Sequence, residues 1–289
     1  MDVPVGEVIL PRSLGEALTV LSARPEARAL AGGTDLVVQL RDGRRRAEIL
    51  VDLGGCGLDQ IREVDGVLEI GAGAVMDAIA EHPRVRAEFP ALAAAAAQVG
   101  GWPIQCRATL GGNLANASPA ADTAPALLVA DAELVLASSS GERRVPLHGF
   151  FLGPGRTVLA PGELIAAVRL PLLHRGSGRR SLERFAKVGP RREQVIAVVS
   201  LAGRAVLDRD GTLDLIRLAL GSVAPTPVRA RRAESCLTGR RLTPAVRREA
   251  AGELQRDIAP IDDVRAPASY RRIAAAVLLD RFLAEVAGA

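Results

Sequence analysis

Two glycine pairs offer the chain's clearest chemistry, and it is backbone chemistry. The first lies in ALAGGTDL, residues 29–36, and the second in TLGGNLANASPAAD, residues 109–122. A glycine turn that feeds a helix start leaves several backbone N–H groups without partners, and these favour an anion. Glycine also removes the side chain that would hold a phosphate oxygen away, and it permits the positive φ angles of an anion nest. Gly32 and Gly33 with Thr34 therefore form one candidate cradle, and Gly111, Gly112 and Asn113 a second. Two cradles suit a diphosphate. Asp122, after the turn at Pro119, is then placed to accept a hydrogen bond from a hydroxyl such as that of a ribose. The competing reading is that each pair is only a turn, with Asp35 an acid that suits the first turn of a helix.

Other phosphate-binding patterns fit less well. LEIGAGAVMDAIAE offers a strand, G-x-G and a helix, but Met76 takes the third glycine's place and no acid ends a strand about 20 residues later. No G-x-x-x-x-G-K-[ST] is present. Cys56, Cys106 and Cys236 are odd in number and far apart, which fits neither a disulfide framework nor a metal site, so no metal is expected in this chain. The net charge of +4 raises nucleic acid as a partner, but the Arg pairs are interleaved with acids and aromatic residues make up only 2%, too few for base stacking. No nucleic-acid or membrane partner is expected, and the start MDVPVGEVILPRS lacks a secretory pattern, so the expectation is a cytoplasmic protein. Lys187 is the only lysine among 37 basic residues, which marks it for attention.

The elements that must hold the loops follow from periodicity. Ser13 to Glu16 spells a capping box, so the spacing predicts a helix over 13–24. ARALA reads as a short buried strand, the glycine pair as a turn, and Thr34 as the cap of a helix through Leu36, Val37 and Leu40. Strands are expected at 48–53 and 67–72, a short helix in AVMDAIAEH, and an Ala-rich helix over 84–99 ending at Gly100-Gly101. TAPALLVADAELVLAS gives a helix and then a strand, GERRVPLHGFF a strand and turn, and ELIAAVRLP a further strand. LLHRGSGRRS is the expected linker, with a domain boundary near residue 176. Beyond it, two strands flank the hairpin turn DRDG, and helices follow around 229–238, 243–257 and in SYRRIAAAVLLDRFLAEV.

Four motifs in order, AGGTDL, ATLGGNLANASPAAD, FFLGPGRTVLAPGELI and ERFAKVGPRREQVIAVVS, resemble the FAD-binding subunit of molybdenum hydroxylases. These are relatives of xanthine dehydrogenase and of the medium subunit of carbon monoxide dehydrogenase. The resemblance implies an α+β fold: a two-lobed FAD-binding domain of the vanillyl-alcohol oxidase type over 1–175, with a small α/β lobe over 1–56 and a larger lobe over 57–175. A C-terminal domain of an antiparallel sheet with helices then occupies 176–289. It further implies that Ala29, Leu30, Ala31, Gly32, Gly33, Thr34, Asp35 and Leu36 form the first FAD loop, and Thr109, Leu110, Gly111, Gly112 and Asn113 the second. By the same resemblance Asp122 contacts the adenosine half, Val99 and Ile165 line the cofactor, and Lys187 lies near the isoalloxazine. Core packing is the competing reading for Val99 and Ile165, and a surface lysine for Lys187. Gly155 stands where the family often has an aromatic residue, which leaves Phe150, Phe151 and Trp102 as candidates to cover the flavin ring. The Cys-rich iron–sulfur insert of relatives that reduce benzoyl-CoA derivatives is absent.

The implied function is that of the flavin subunit of a molybdenum hydroxylase, with no catalytic acid or base of its own. It takes electrons from [2Fe-2S] clusters on a small partner and passes them to NAD or another acceptor, while a large partner carries the molybdenum cofactor. A dimer of heterotrimers is the implied assembly. Two alternatives stay open at this stage. One is a self-sufficient FAD-dependent oxidase, although none of His82, His148 and His174, the residues for a covalent flavin link, lies in either loop. The other is a non-enzymatic basic binding protein.

Overall fold

The computed structural model describes residues 5–173, 179–191 and 194–288. The middle of the expected linker, with His174 and the boundary near residue 176, lies outside the described residues. The chain opens with a three-stranded parallel sheet in which Ile49–Asp52 is flanked by Glu7–Ile9 and Ala27–Leu30. The helix Leu14–Ala23 crosses between the two outer strands. Ser13 Oγ accepts from the Glu16 amide, and the Glu16 carboxylate reaches back to the Arg12 amide, one residue before the cap. The capping box thus closes on its Ser13 side, while the Glu16 bond is displaced from the Ser13 amide to that of Arg12.

A five-stranded antiparallel sheet follows, in the order Ile61–Val64, Val67–Gly71, Leu164–Pro171, Glu133–Ser138, Gly141–Pro146. Its central strand buries both faces. Ile165, Val168 and Leu170 join the main core with Leu134 and Leu136, while Leu164, Ala166 and Ala167 face the first helix's core. A bulge between Ile165 and Ala167 re-aims the strand beside the site. Because Val67–Gly71 pairs antiparallel on both sides, the G-x-G after it is not part of a parallel dinucleotide-binding sheet.

Helical expectations needed two corrections. The Ala-rich segment forms two helices, Pro83–Glu88 and Pro90–Ala96, broken at Phe89. Pro90 lacks an N–H and forces the preceding residue out of helical geometry, and Phe89 has φ −135° and ψ 56°. The helix Leu36–Arg41 is not capped by Thr34. Asp35 holds the cap position, with no side-chain bond to the helix.

The C-terminal part is a four-stranded antiparallel sheet, Arg180–Val188, Val199–Leu207, Leu213–Gly221 and Val228–Arg229, backed by helices Arg231–Leu237, Pro244–Asp257 and Ala268–Gly288. The DRDG turn is closed by Asp208, which accepts from the Asp210 and Thr212 amides, with Gly211 at φ +84°. Arg180–Val188 has no sequence counterpart among the expected strands, since SLERFAKV alternates weakly. It carries two side chains that reach back into the first part, Glu183 and Lys187. Arg204 forms a buried ion pair with Glu183, donates to the Glu88 carbonyl and stacks 5.0 Å over the Phe89 ring. The other oxygen of Glu183 accepts from the Ala91 amide. Among the described residues no helix is long and apolar enough to cross a membrane.

Candidate functional site

A cavity of about 860 Å³ lies where the small parallel sheet, the start of the five-stranded sheet's central strand and the second glycine segment meet. Its size is in the upper part of the range of about 300–1,000 Å³ typical of cofactor pockets. Three backbone segments form nearly half of its wall: Ala31–Leu36, Ala72–Val75 and Cys106–Asn113 without Leu110. All three must approach one another closely, and glycine makes that possible. A Cβ on Gly32 would stand 2.6 Å from the Arg107 carbonyl carbon. One on Gly111 would stand 2.6 Å from Ala72 Cβ. These two glycines are therefore set by contact between backbones. Gly33 is set by conformation, with φ +73°.

The two glycine segments differ in what they leave open. The amides of Gly33, Thr34, Asp35 and Leu36 donate to no group among the described residues, and all four residues line the cavity. The second segment folds into a short helix, Leu110–Ala115, and its amides are spent inside the protein. Leu110 N donates to Ala74 O at 3.0 Å, Gly111 N to Ala72 O at 2.8 Å, Gly112 N to Thr109 Oγ1 at 3.2 Å and Asn113 N to Thr109 O at 2.9 Å. Gly111 and Gly112 thus do not form the symmetric amide cradle expected from the sequence. The open polar groups on this side are side chains. Asn113 uses its Oδ1 on Thr123 Oγ1 at 2.6 Å, so its NH₂ remains available, and Asn116 and Gln39 line the same wall.

Of the seventeen residues singled out from the sequence, the structure brings thirteen to the cavity wall: Ala29, Ala31–Leu36, Val99, Thr109, Gly111–Asn113 and Ile165. Leu30, Leu110, Asp122 and Lys187 are not part of it. Leu110 is fully buried in the main core, and Leu30 packs beside Leu40 and Leu50. Asp122 and Lys187 bond each other at 2.8 Å outside the cavity wall. Lys187 is buried, not a surface lysine, and its other donors go to Gln98 O at 2.8 Å and Val195 O at 3.2 Å. The pair braces the carbonyl next to Val99, a cavity-lining residue. Burial pushes the Asp122 carboxyl up to about 6 against the opposing pull of Lys187, and its Oδ1 has no hydrogen-bond partner.

None of the aromatic candidates covers the cavity. Phe150 is fully buried and packs edge-to-face on Phe151 at 5.2 Å, and Trp102 is 68% exposed outside the wall. The apolar lining is aliphatic and includes Val99, Ile104, Ile196, Leu58, Leu164 and Ile165. Sequence reasoning missed the Ala72–Val75 segment as a wall, although its glycines were the signal. Gly71 and Gly73 both pack against the Leu58 backbone, and Gly73 faces the cavity.

These features fit an extended cofactor with an anionic middle and flat apolar ends. Open amides face an enclosed space, close glycine contacts leave the wall bare, and aliphatic side chains line the flanks.

Comparison with known proteins agrees. Residues 4–173 match the family model described as the FAD binding domain in molybdopterin dehydrogenase. Residues 184–286 match the carbon monoxide dehydrogenase flavoprotein C-terminal domain. The chain is 33% identical over 266 residues to the xanthine dehydrogenase FAD-binding subunit of Escherichia coli O157:H7, covering 90% of this chain and 88% of that one. It is 33% identical over 285 residues to the carbon monoxide dehydrogenase medium chain of Hydrogenophaga pseudoflava, covering 97% and 96%. Among solved structures, quinoline 2-oxidoreductase from Pseudomonas putida 86 superimposes with a TM-score of 0.92 at 28% identity, over 100% of this chain and 99% of that one.

Proposed function

Because this chain belongs to the family of FAD-binding subunits of xanthine dehydrogenase- and carbon monoxide dehydrogenase-type molybdenum hydroxylases, we propose that it serves as the electron outlet of such a complex. In this reading electrons arrive from [2Fe-2S] clusters on a small partner, after substrate oxidation at molybdenum on a large partner, and leave to NAD or another acceptor. A dimer of heterotrimers is the assembly we expect. FAD supplies the redox chemistry, converting between one- and two-electron transfer.

This chain's residues hold and shield that group. The observation that carries the reading is the contact of Gly32 with the Arg107 backbone, which joins the first loop to the second segment and leaves the amides of Gly33–Leu36 facing the cavity. Those amides are assigned to the diphosphate. Thr109 caps the second segment through its Oγ1, which fixes Gly112 and Asn113 in the cavity wall. Val99, Ile104, Ile165 and Ile196 supply apolar contact and exclude water from the ring systems. The Lys187–Asp122 pair acts as a buried brace behind Val99 and holds the C-terminal sheet to the FAD-binding part.

The test is the visible absorption spectrum of the purified chain, followed by denaturation and identification of the released chromophore. The expected result is free FAD at close to one per chain. A protein that stays colourless after FAD is added, alone and when co-expressed with its partner subunits, would overturn the reading.

A further inference from the structure

A diphosphate carries a negative charge on each phosphoryl group, and the cavity wall does not meet it evenly. Asp35, Asp52, Asp59 and Glu163 line the wall, against two cations, Arg45 and Arg107. Glu163 is answered by Arg143 at 2.7 Å, but the remaining acids leave a wall that repels an anion unless a cation stands at the phosphates. Second-segment amides cannot make up the difference, since they are bonded internally.

We infer that Arg107 is the cation that neutralises the cofactor's diphosphate, an inference that rests on the FAD reading above. Three observations place it. Its backbone is locked against Gly32, where even a Cβ cannot be inserted, so it sits beside the open amides of Gly33–Leu36. Its side chain belongs to a residue that is exposed yet lines the cavity. Among the described residues its guanidinium has no carboxylate within ion-pair distance and no hydrogen-bond acceptor. Among the described residues most other arginines are spent in ion pairs, as Arg143, Arg204, Arg217 and Arg229 are. Arg45 also lacks such a partner, but it follows the far end of the helix Leu36–Arg41, where its amide bonds Gln39 O. The planar guanidinium suits paired phosphate oxygens, which a single point charge matches less well.

The experiment compares FAD with riboflavin, which lacks the diphosphate, on the full chain freed of cofactor, with binding read by flavin fluorescence at low and high salt. Arg107→Met should weaken FAD by about ten- to a hundredfold, the range for a hydrogen-bonded ion contact, and leave riboflavin within about twofold. Its FAD affinity should also depend less on salt, and Arg107→Lys should recover part of the loss. Unchanged riboflavin affinity serves as the check that the cavity is intact. Equal losses for FAD and riboflavin would overturn the inference, because Arg107 would then only shape the wall. So would full FAD affinity in Arg107→Met, or the specific loss appearing in Arg45→Met instead. If the wild-type chain itself shows no preference for FAD over riboflavin, the diphosphate reading falls, and this inference with it.

Discussion

Gly32→Ala tests the junction on which the site depends. The added Cβ would lie 2.6 Å from the Arg107 carbonyl carbon and 3.1 Å from Ala108 Cα. Carbon atoms pack at about 3.5–4.0 Å, so one of the two segments must retreat by about 1 Å. No rotamer change relieves this, because both clashing groups are main chain. If the second segment retreats, the bonds Met76 N to Ala108 O and Leu110 N to Ala74 O, both 3.0 Å, stretch beyond useful length. Overpacking of this kind costs about 1–3 kcal/mol, and each lost hydrogen bond about 0.5–1.5 kcal/mol more. We therefore expect a loss of roughly 2–4 kcal/mol in the melting of the cofactor-free chain, and FAD retention well below stoichiometric after gel filtration. Gly43→Ala is the control. Unlike Gly32 it carries a positive φ, +68°, but a Cβ there meets nothing within 4 Å, so it should cost only the left-handed strain of about 1 kcal/mol and keep FAD. A Gly32→Ala protein that melts like Gly43→Ala and purifies with full FAD would refute the contact argument.

Further variants probe the rest of the wall. Gly112→Asp should purify folded but without FAD, since its Cβ would sit 2.8 Å from Thr109 Oγ1 and its carboxylate would face the cavity; a yellow, fully loaded protein would remove Gly112 from the site. Lys187→Ala leaves Asp122 and two carbonyls unpaired in a buried setting, and the chain should lose about 3–5 kcal/mol of stability by denaturant titration. Asp122 gives a pH signature: its folded pKa of about 6 lies above its unfolded value, so the folded state holds more protons between pH 4 and 6. That contribution is present at low pH and is lost as the pH rises through about 6, on the order of 2–3 kcal/mol. Asp122→Asn should flatten the pH 4–6 dependence of stability relative to wild type, and an identical slope would place the titration elsewhere.

The sequence by itself determined the local devices. The S-x-x-E box starts the first helix, the DRDG turn closes its hairpin, and Pro90 breaks a helix at a residue that alanine content alone would run through. It also marked both glycine segments and the solitary Lys187, because glycine pairs and a lone lysine stand out without any neighbour in space. What the glycines are for was decided only by the tertiary structure. Gly32 and Gly111 read as phosphate contacts, yet each is fixed by another backbone segment distant in sequence, Arg107 and Ala72. Amide availability is likewise a matter of partners: the second segment's N–H groups look open in a linear motif and are consumed once Ala72 and Ala74 arrive beside them. Lys187 and Asp122, 65 positions apart, become one ion pair because the strand Arg180–Val188 packs against the FAD-binding part. Periodicity and capping act over one or two helical turns and leave a readable trace. The close approach of backbones from separate elements depends on the packing of whole sheets, and no local pattern records it.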